Sequence, residues 1–115
     1  MRRDGNFDEA LAIYLRMLVE WRKLGHRAAM ANILENMAFI DRVQGRPDRA
    51  MIFLGAAERI RETIGQDMLR LEREEYEREL AELKSNLAPQ EFASLWANGR
   101  TMSTDAIIAL ALADS

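Results

Sequence analysis

Apolar side chains recur at helical spacing along almost the whole chain. Over residues 6–24, Phe7, Leu11, Tyr14, Leu18 and Trp21 form one stripe at three- and four-residue intervals. Ala10, Ile13, Met17 and Leu24 form a second stripe beside it, and Leu15 and Val19 add to both. Only a strip through Glu9, Arg16, Glu20 and Lys23 is clearly polar. A helix apolar over so much of its circumference expects neighbours on more than one side. Asn6 is placed to cap this helix and Gly25 to end it. A second helix is predicted over 27–44, with Met30, Ile33, Leu34, Met37, Ile40 and Val43 as its core face and Gly45 as its stop. A third follows over 47–64, in which Ala50, Phe53, Leu54, Ala57 and Ile60 recur. Its Gly55-Ala56-Ala57 patch of small side chains invites another helix to approach closely.

The second half of the chain continues in the same period. A highly charged helix is predicted over 67–87, with Met68, Leu69, Leu71, Tyr76, Leu80, Leu83 and Leu87 marking its apolar side. Within it Glu74 and Arg78 stand in the favourable i,i+4 order, a pairing that stabilises an exposed helix by about 0.3–0.5 kcal/mol. A short helix over 89–98 turns Phe92, Leu95 and Trp96 inward and is expected to stop at Gly99. Ser103 then caps a last helix carrying Ile107, Ile108, Leu110 and Leu112.

The helices are not independent of one another. Gly5-Asn6-Phe7-Asp8-Glu9-Ala10-Leu11 returns 40 residues later as Gly45-Arg46-Pro47-Asp48-Arg49-Ala50-Met51. The two runs that follow end at Gly25 and Gly65, again 40 apart. A fixed period of this size marks a helical solenoid, in which each unit buries its apolar face only against its neighbours.

Composition narrows the picture further. At 115 residues with 49% apolar and 30% charged side chains, the chain reads as one globular domain. Sixteen Lys and Arg against nineteen Asp and Glu leave a net charge of −3, which disfavours a grip on a phosphate backbone. There is no cysteine, so disulfides, thiolate metal sites and a cysteine nucleophile are excluded. No apolar run approaches the ~18 residues a membrane span requires, and the basic start at Arg2-Arg3 lacks a following apolar region of the secretory type. A cytoplasmic protein without membrane attachment is the expectation. Pro47 and Pro89 both stand where a helix begins, a position that needs no N–H.

The repeat resembles the tetratricopeptide (TPR) motif in its longer form. Met37-Ala38 stands at the Leu-Gly position of helix A, Gly45 at the inter-helix glycine, and Ala50, Leu54 and Ala57 at the Ala, Phe and Ala of helix B. In the earlier copy Gly5, Ala10 and Tyr14 match, while Met17 replaces the last alanine. Leu34 stands where the family often has Trp, and Asp41 where it usually has Tyr. The earlier copy contains only helix B, so the chain is expected to begin in the middle of a repeat. A second resemblance lies in Leu54-Gly55-Ala56-Ala57-Glu58-Arg59-Ile60-Arg61, the charged helix, and the run Phe92-Ala93-Ser94-Leu95-Trp96-Ala97-Asn98-Gly99-Arg100-Thr101-Met102-Ser103. It is similar to the C-terminal end of TPR regions in bacterial LuxR-type and related STAND-class ATPase transcriptional regulators. That resemblance implies a sensor or oligomerisation segment of a regulator. It implies no ATP hydrolysis here, since no G-x-x-x-x-G-K-[ST] loop occurs in the chain.

Candidate chemistry is sparse. His26 is the only histidine and falls at a helix junction, where a surface or first-turn role is expected. The carboxylates of the 72–79 cluster alternate with arginines, and nothing isolates a pair suited to acid–base work. Ser103 reads as a cap. No catalytic, cofactor-binding or metal-binding residue is therefore assigned, and no cofactor is expected. The TPR resemblance implies a peptide groove on helix A, and the matching positions are Asn32, Glu35, Phe39 and Arg42. The unpaired first helix implies a homodimer with Phe7, Leu11, Tyr14, Leu18 and Trp21 at the interface.

The resulting expectation is an all-α chain of TPR-like antiparallel hairpins. Residues 1–65 form about one and a half repeats, and residues 66–115 form a C-terminal helical cap packed back through Phe92, Trp96 and Met102. Its function is expected to be non-catalytic protein–protein interaction or oligomerisation within a signalling or transcriptional regulator. The alternative is a nucleic-acid-binding helical domain, which requires Arg2, Arg3, Arg16, Arg22, Lys23 and Arg27 to gather on one face.

Overall fold

The periodicity resolves into six helices in the computed structural model, which describes residues 2–65 and 70–113 and the side chains of all of these but residues 2–6 and 70. They are α1 (Arg2–Leu24), α2 (Arg27–Val43), α3 (Pro47–Ile64), α4 (Arg70–Asn86), α5 (Pro89–Thr101) and α6 (Thr104–Ala113). There is no strand among the described residues. The helices pack into a body of 35 × 31 × 27 Å.

Local chemistry explains most boundaries. Gly25 and Gly65, expected as stops 40 residues apart, both adopt a left-handed backbone, with φ of 73° and 68°. Their freedom from a Cβ lets the chain leave a helix in that way. Pro47 and Pro89 each open a helix. The Ser103 hydroxyl accepts a hydrogen bond from the Ala106 N–H at 3.1 Å, which caps α6. Two boundaries differ from the sequence expectation. α1 begins at Arg2 rather than at Asn6, and the side chain of Asn6 lies outside the described residues, as do Asp67, Met68 and Leu69. Gly99 does not stop α5 but lies buried within it, for a packing reason given below.

α2 and α3 form the centre. They run antiparallel, since Glu35 meets Arg61 while Asp41 meets Arg49. Met30, Ile33, Leu34 and Met37 of α2 and Ala50, Phe53, Leu54 and Ala57 of α3 are buried, as their spacing predicts. Val43, the last expected core residue of α2, is 52% exposed because the helix ends there. α1 lies antiparallel to α2. Leu18 and Arg22 share one hollow with Met30 and Leu34, and Leu11 and Leu15 share another with Met37. α6 lies antiparallel along α1, with Arg22 paired to Asp105 at one end and Leu11 near Ala111 at the other.

α5 crosses α3 through its small residues. A Cβ added at Gly55 would lie 2.5 Å from the Trp96 carbonyl oxygen, and one added at Gly99 would overlap the Ile52 carbonyl. The Gly55-Ala56-Ala57 patch therefore does admit a helix, and Gly99 is its counterpart on that helix. Trp96, Phe92 and Met102 are partly buried against the core, so residues 89–102 pack back on α3. α4 buries Tyr76, Leu83 and Leu87, leaves Leu80 half-buried, and turns Leu71 to solvent at 75% exposure.

Candidate functional site

Three features could carry function: the expected groove on α2, the outer face of α1, and a basic cleft.

On the groove face, Asn32 is exposed and Phe39 half-buried. Asn32 accepts hydrogen bonds from the Asn36 amide, one turn further along the helix. Glu35 is 5% exposed and receives two hydrogen bonds from the Arg61 guanidinium, Nε to Oε2 at 2.8 Å and Nη2 to Oε1 at 3.0 Å. Burial pushes the Glu35 carboxyl above the usual carboxylate range, against the lowering effect of Arg61. Arg61 is held in its charged form mainly by the same hydrogen bonds. Arg42 reaches across to α4, where it pairs with Glu79 through Nε and through Nη2 at 3.0 Å, and approaches Glu82 at 3.9 Å. Two of the four groove positions are thus engaged by α3 and α4 of the same chain.

A second buried cluster sits at the α2–α3 turn. Asp41 is fully buried and accepts from Arg49 Nε at 2.9 Å, with Arg46 Nε at 3.3 Å. Arg49 in turn lies over the Phe53 ring, 5.2 Å from its centroid. The carboxylate at the position where the TPR resemblance expects an aromatic residue is therefore neutralised by two arginines from the following turn and helix.

The stripe of α1 expected at a dimer interface faces inward in the single chain. Leu18 is fully buried, and Leu11, Tyr14 and Trp21 pack against the core from partly buried positions, with Phe7 half-buried. The neighbouring stripe faces out instead, with Ile13 47%, Met17 39% and Leu24 73% exposed. These side chains, with Arg16 and Glu20, bound a shallow hollow of ≈ 530 Å³. The physical reason is α6. It lies against the Leu11–Leu15–Leu18 side of α1, so α2 and α6 together cover that stripe and leave the other bare.

The cleft lies between α1, α2, α3 and the α5–α6 turn and has a volume of ≈ 690 Å³. Arg22, Arg27 and Arg59 line it together with apolar side chains. The basic residues considered for nucleic acid do not gather on one face. Arg16 bounds the outer hollow, Arg22 and Arg27 line the cleft, and Lys23 pairs with Glu20 at 3.4 Å. The side chains of Arg2 and Arg3 lie outside the described residues.

His26 caps α2, its Nδ1 accepting from the Ala29 N–H at 3.2 Å, and its ring meets Trp21 edge-on at 4.9 Å. Among the described residues, no group of three or more His, Cys, Asp or Glu side chains could hold a metal ion. No described helix is long and apolar enough to cross a membrane. The sequence signal that could have identified the outer face of α1 is the second stripe itself, and the signal for the Glu35–Arg61 and Arg42–Glu79 pairs is weak, because the partners stand 26 and 37 residues apart. No protein-family model matches this sequence, and no curated protein or solved structure matches it.

Proposed function

We propose that this chain is a non-catalytic protein–protein interaction and self-association module of the TPR type, acting in the cytoplasm as part of a signalling regulator. One observation carries the reading. Ile13 and Met17 are the 40-residue counterparts of Phe53 and Ala57, which are both fully buried, yet Ile13 and Met17 lie 47% and 39% exposed. The part of α1 that corresponds to Phe53 and Ala57 of α3 is therefore exposed, while the part that corresponds to Met51 and Leu54 packs inward. An exposed contiguous apolar face is an interaction site in a soluble protein.

The occupant proposed is a second copy of this chain, paired through α1 about a twofold axis. The polar strip beside the bare row supports an antiparallel arrangement. Glu9 lies towards one end of it and Lys23 towards the other. Antiparallel copies set Glu9 of one chain against Lys23 of its partner, whereas parallel copies would set like against like. In the same register Ile13 lies opposite Val19 of the partner, and both of these side chains line the hollow on each copy.

Sedimentation of the wild type and of Ile13→Glu and Met17→Glu tests the reading. A dimer for the wild type and monomers of unchanged melting temperature for the variants are expected. A wild type that stays monomeric at all micromolar concentrations, or variants that keep the wild-type mass, would remove the proposal.

A further inference from the structure

We infer that the cleft between α1, α2, α3 and α6 is a binding site for a small amphipathic anion, with an apolar body and a carboxylate or phosphate head. Its volume of ≈ 690 Å³ falls inside the ~300–1,000 Å³ of small-molecule pockets. The floor is apolar and buried. Leu18, Met30, Leu34 and Ile107 all line it, and none is more than 4% exposed. The rim is basic, with one arginine each from α1, α2 and α3: Arg22, Arg27 and Arg59. Among the described residues no carboxylate lines the cleft, although acids outnumber bases in the chain by nineteen to sixteen. Such segregation of charge is a recognition pattern, since the guanidinium fork matches carboxylate and phosphate oxygens two at a time.

The three arginines are not equally available. Arg22 pairs with Asp105, and Arg59 donates to the Arg100 backbone carbonyl. Arg27 is exposed and has no hydrogen bond or ion pair among the described residues. The hydroxyls of Thr63 and Thr101 donate to backbone carbonyls of their own helices. Recognition of the head therefore falls first to Arg27, with Arg59 beside it, and Asp105 competes with the ligand for Arg22. Charged and apolar walls in one hollow favour a single molecule with both characters over a bare ion or a neutral lipid. The site lies on the side of α1 away from Ile13 and Met17, so it does not depend on self-association through the outer row.

Calorimetric titration of the whole chain with decanoate, decyl phosphate, decanol and decylamine tests the assignment. Methyl NMR shifts of Met30 and Met102 report where each probe binds. The expected result is saturable one-to-one binding of decanoate or decyl phosphate with shifts at both methyls, and a preference between the two identifies the head group. Arg27→Glu, at an exposed position, should weaken that binding about tenfold or more, the loss expected for a hydrogen bond to a charged group. Asp105→Asn, which frees Arg22, should tighten it. Equal affinity for decanol and decanoate would overturn the inference. So would an unchanged dissociation constant in Arg27→Glu, or absence of saturable binding by both anions at millimolar concentration. Capture of an acidic peptide at the same methyls when both anions fail would also overturn it, in favour of a peptide site.

Discussion

Gly99 of α5 and Ile52 of α3 meet backbone to backbone, so closely that a Cβ on Gly99 would overlap the Ile52 carbonyl. Gly55 makes the reciprocal approach towards the Trp96 carbonyl, at 2.5 Å from where its own Cβ would be. In a free helix, replacing glycine by alanine stabilises by about 0.5–1 kcal/mol. Here the sign should reverse. The obstructing atoms belong to backbone, which cannot rotate away, so α3 and α5 must separate. Gly99→Ala and Gly55→Ala are each expected to cost about 1–3 kcal/mol, the usual range for overpacking, with Gly99→Ala the larger. Chemical denaturation of the two variants checks both the sign and the order.

The Glu35–Arg61 pair predicts a strongly non-additive cycle. Both side chains are buried, and each satisfies the other through two hydrogen bonds. Glu35→Leu alone leaves the Arg61 charge uncompensated and should cost about 3–5 kcal/mol. Glu35→Leu combined with Arg61→Leu should recover most of that loss, because two apolar side chains need no desolvation of charge. A double-mutant cycle measures the coupling directly. Additive losses would mean that the pair is not coupled as the geometry requires.

The same carboxyl makes a pH prediction. Burial raises the Glu35 pKa in the folded chain above its ordinary value. The folded state therefore binds this proton more tightly than the unfolded state. By linkage, the contribution of Glu35 to stability is greatest below the ordinary carboxylate range and declines as pH rises through its raised folded pKa. Arg61 stays charged throughout this window. Melting curves across mildly acidic pH should show this component in the wild type and lose it in Glu35→Gln. An unchanged pH profile in Glu35→Gln would contradict the assignment.

Tyr76 is 5% exposed, and its hydroxyl has no hydrogen-bond partner among the described residues. Burial, reinforced by the nearby Glu58 and Glu35, pushes its pKa up, so the phenol is neutral at all ordinary pH. A buried hydroxyl without a partner carries a desolvation penalty of about 1–3 kcal/mol. Tyr76→Phe removes the hydroxyl and keeps the ring. It should leave the chain equally stable or raise its melting temperature, which thermal denaturation reads directly. A clear loss of stability would indicate that the hydroxyl is satisfied.

Sequence by itself determined that this chain is helical, where most of its helices begin and end, and which side of α2, α3 and α4 holds most of the core. The reasons are local: apolar spacing, proline at helix starts, glycine at the stops of α1 and α3, and a serine cap on α6. Tertiary structure decided what local signals leave open. α1 has two adjacent apolar stripes, and periodicity cannot choose which one turns inward. α6, more than 80 residues away along the chain, makes that choice by covering the Leu18 side. Glu35 and Arg42 look like solvent-facing charges on an amphipathic helix until Arg61 and Glu79 arrive from other helices. Gly99 looks like a stop because isolated helices disfavour glycine, yet it is retained inside α5 by the backbone of α3. The cleft has no sequence signature, since its three arginines come from three helices and share a wall only when these pack.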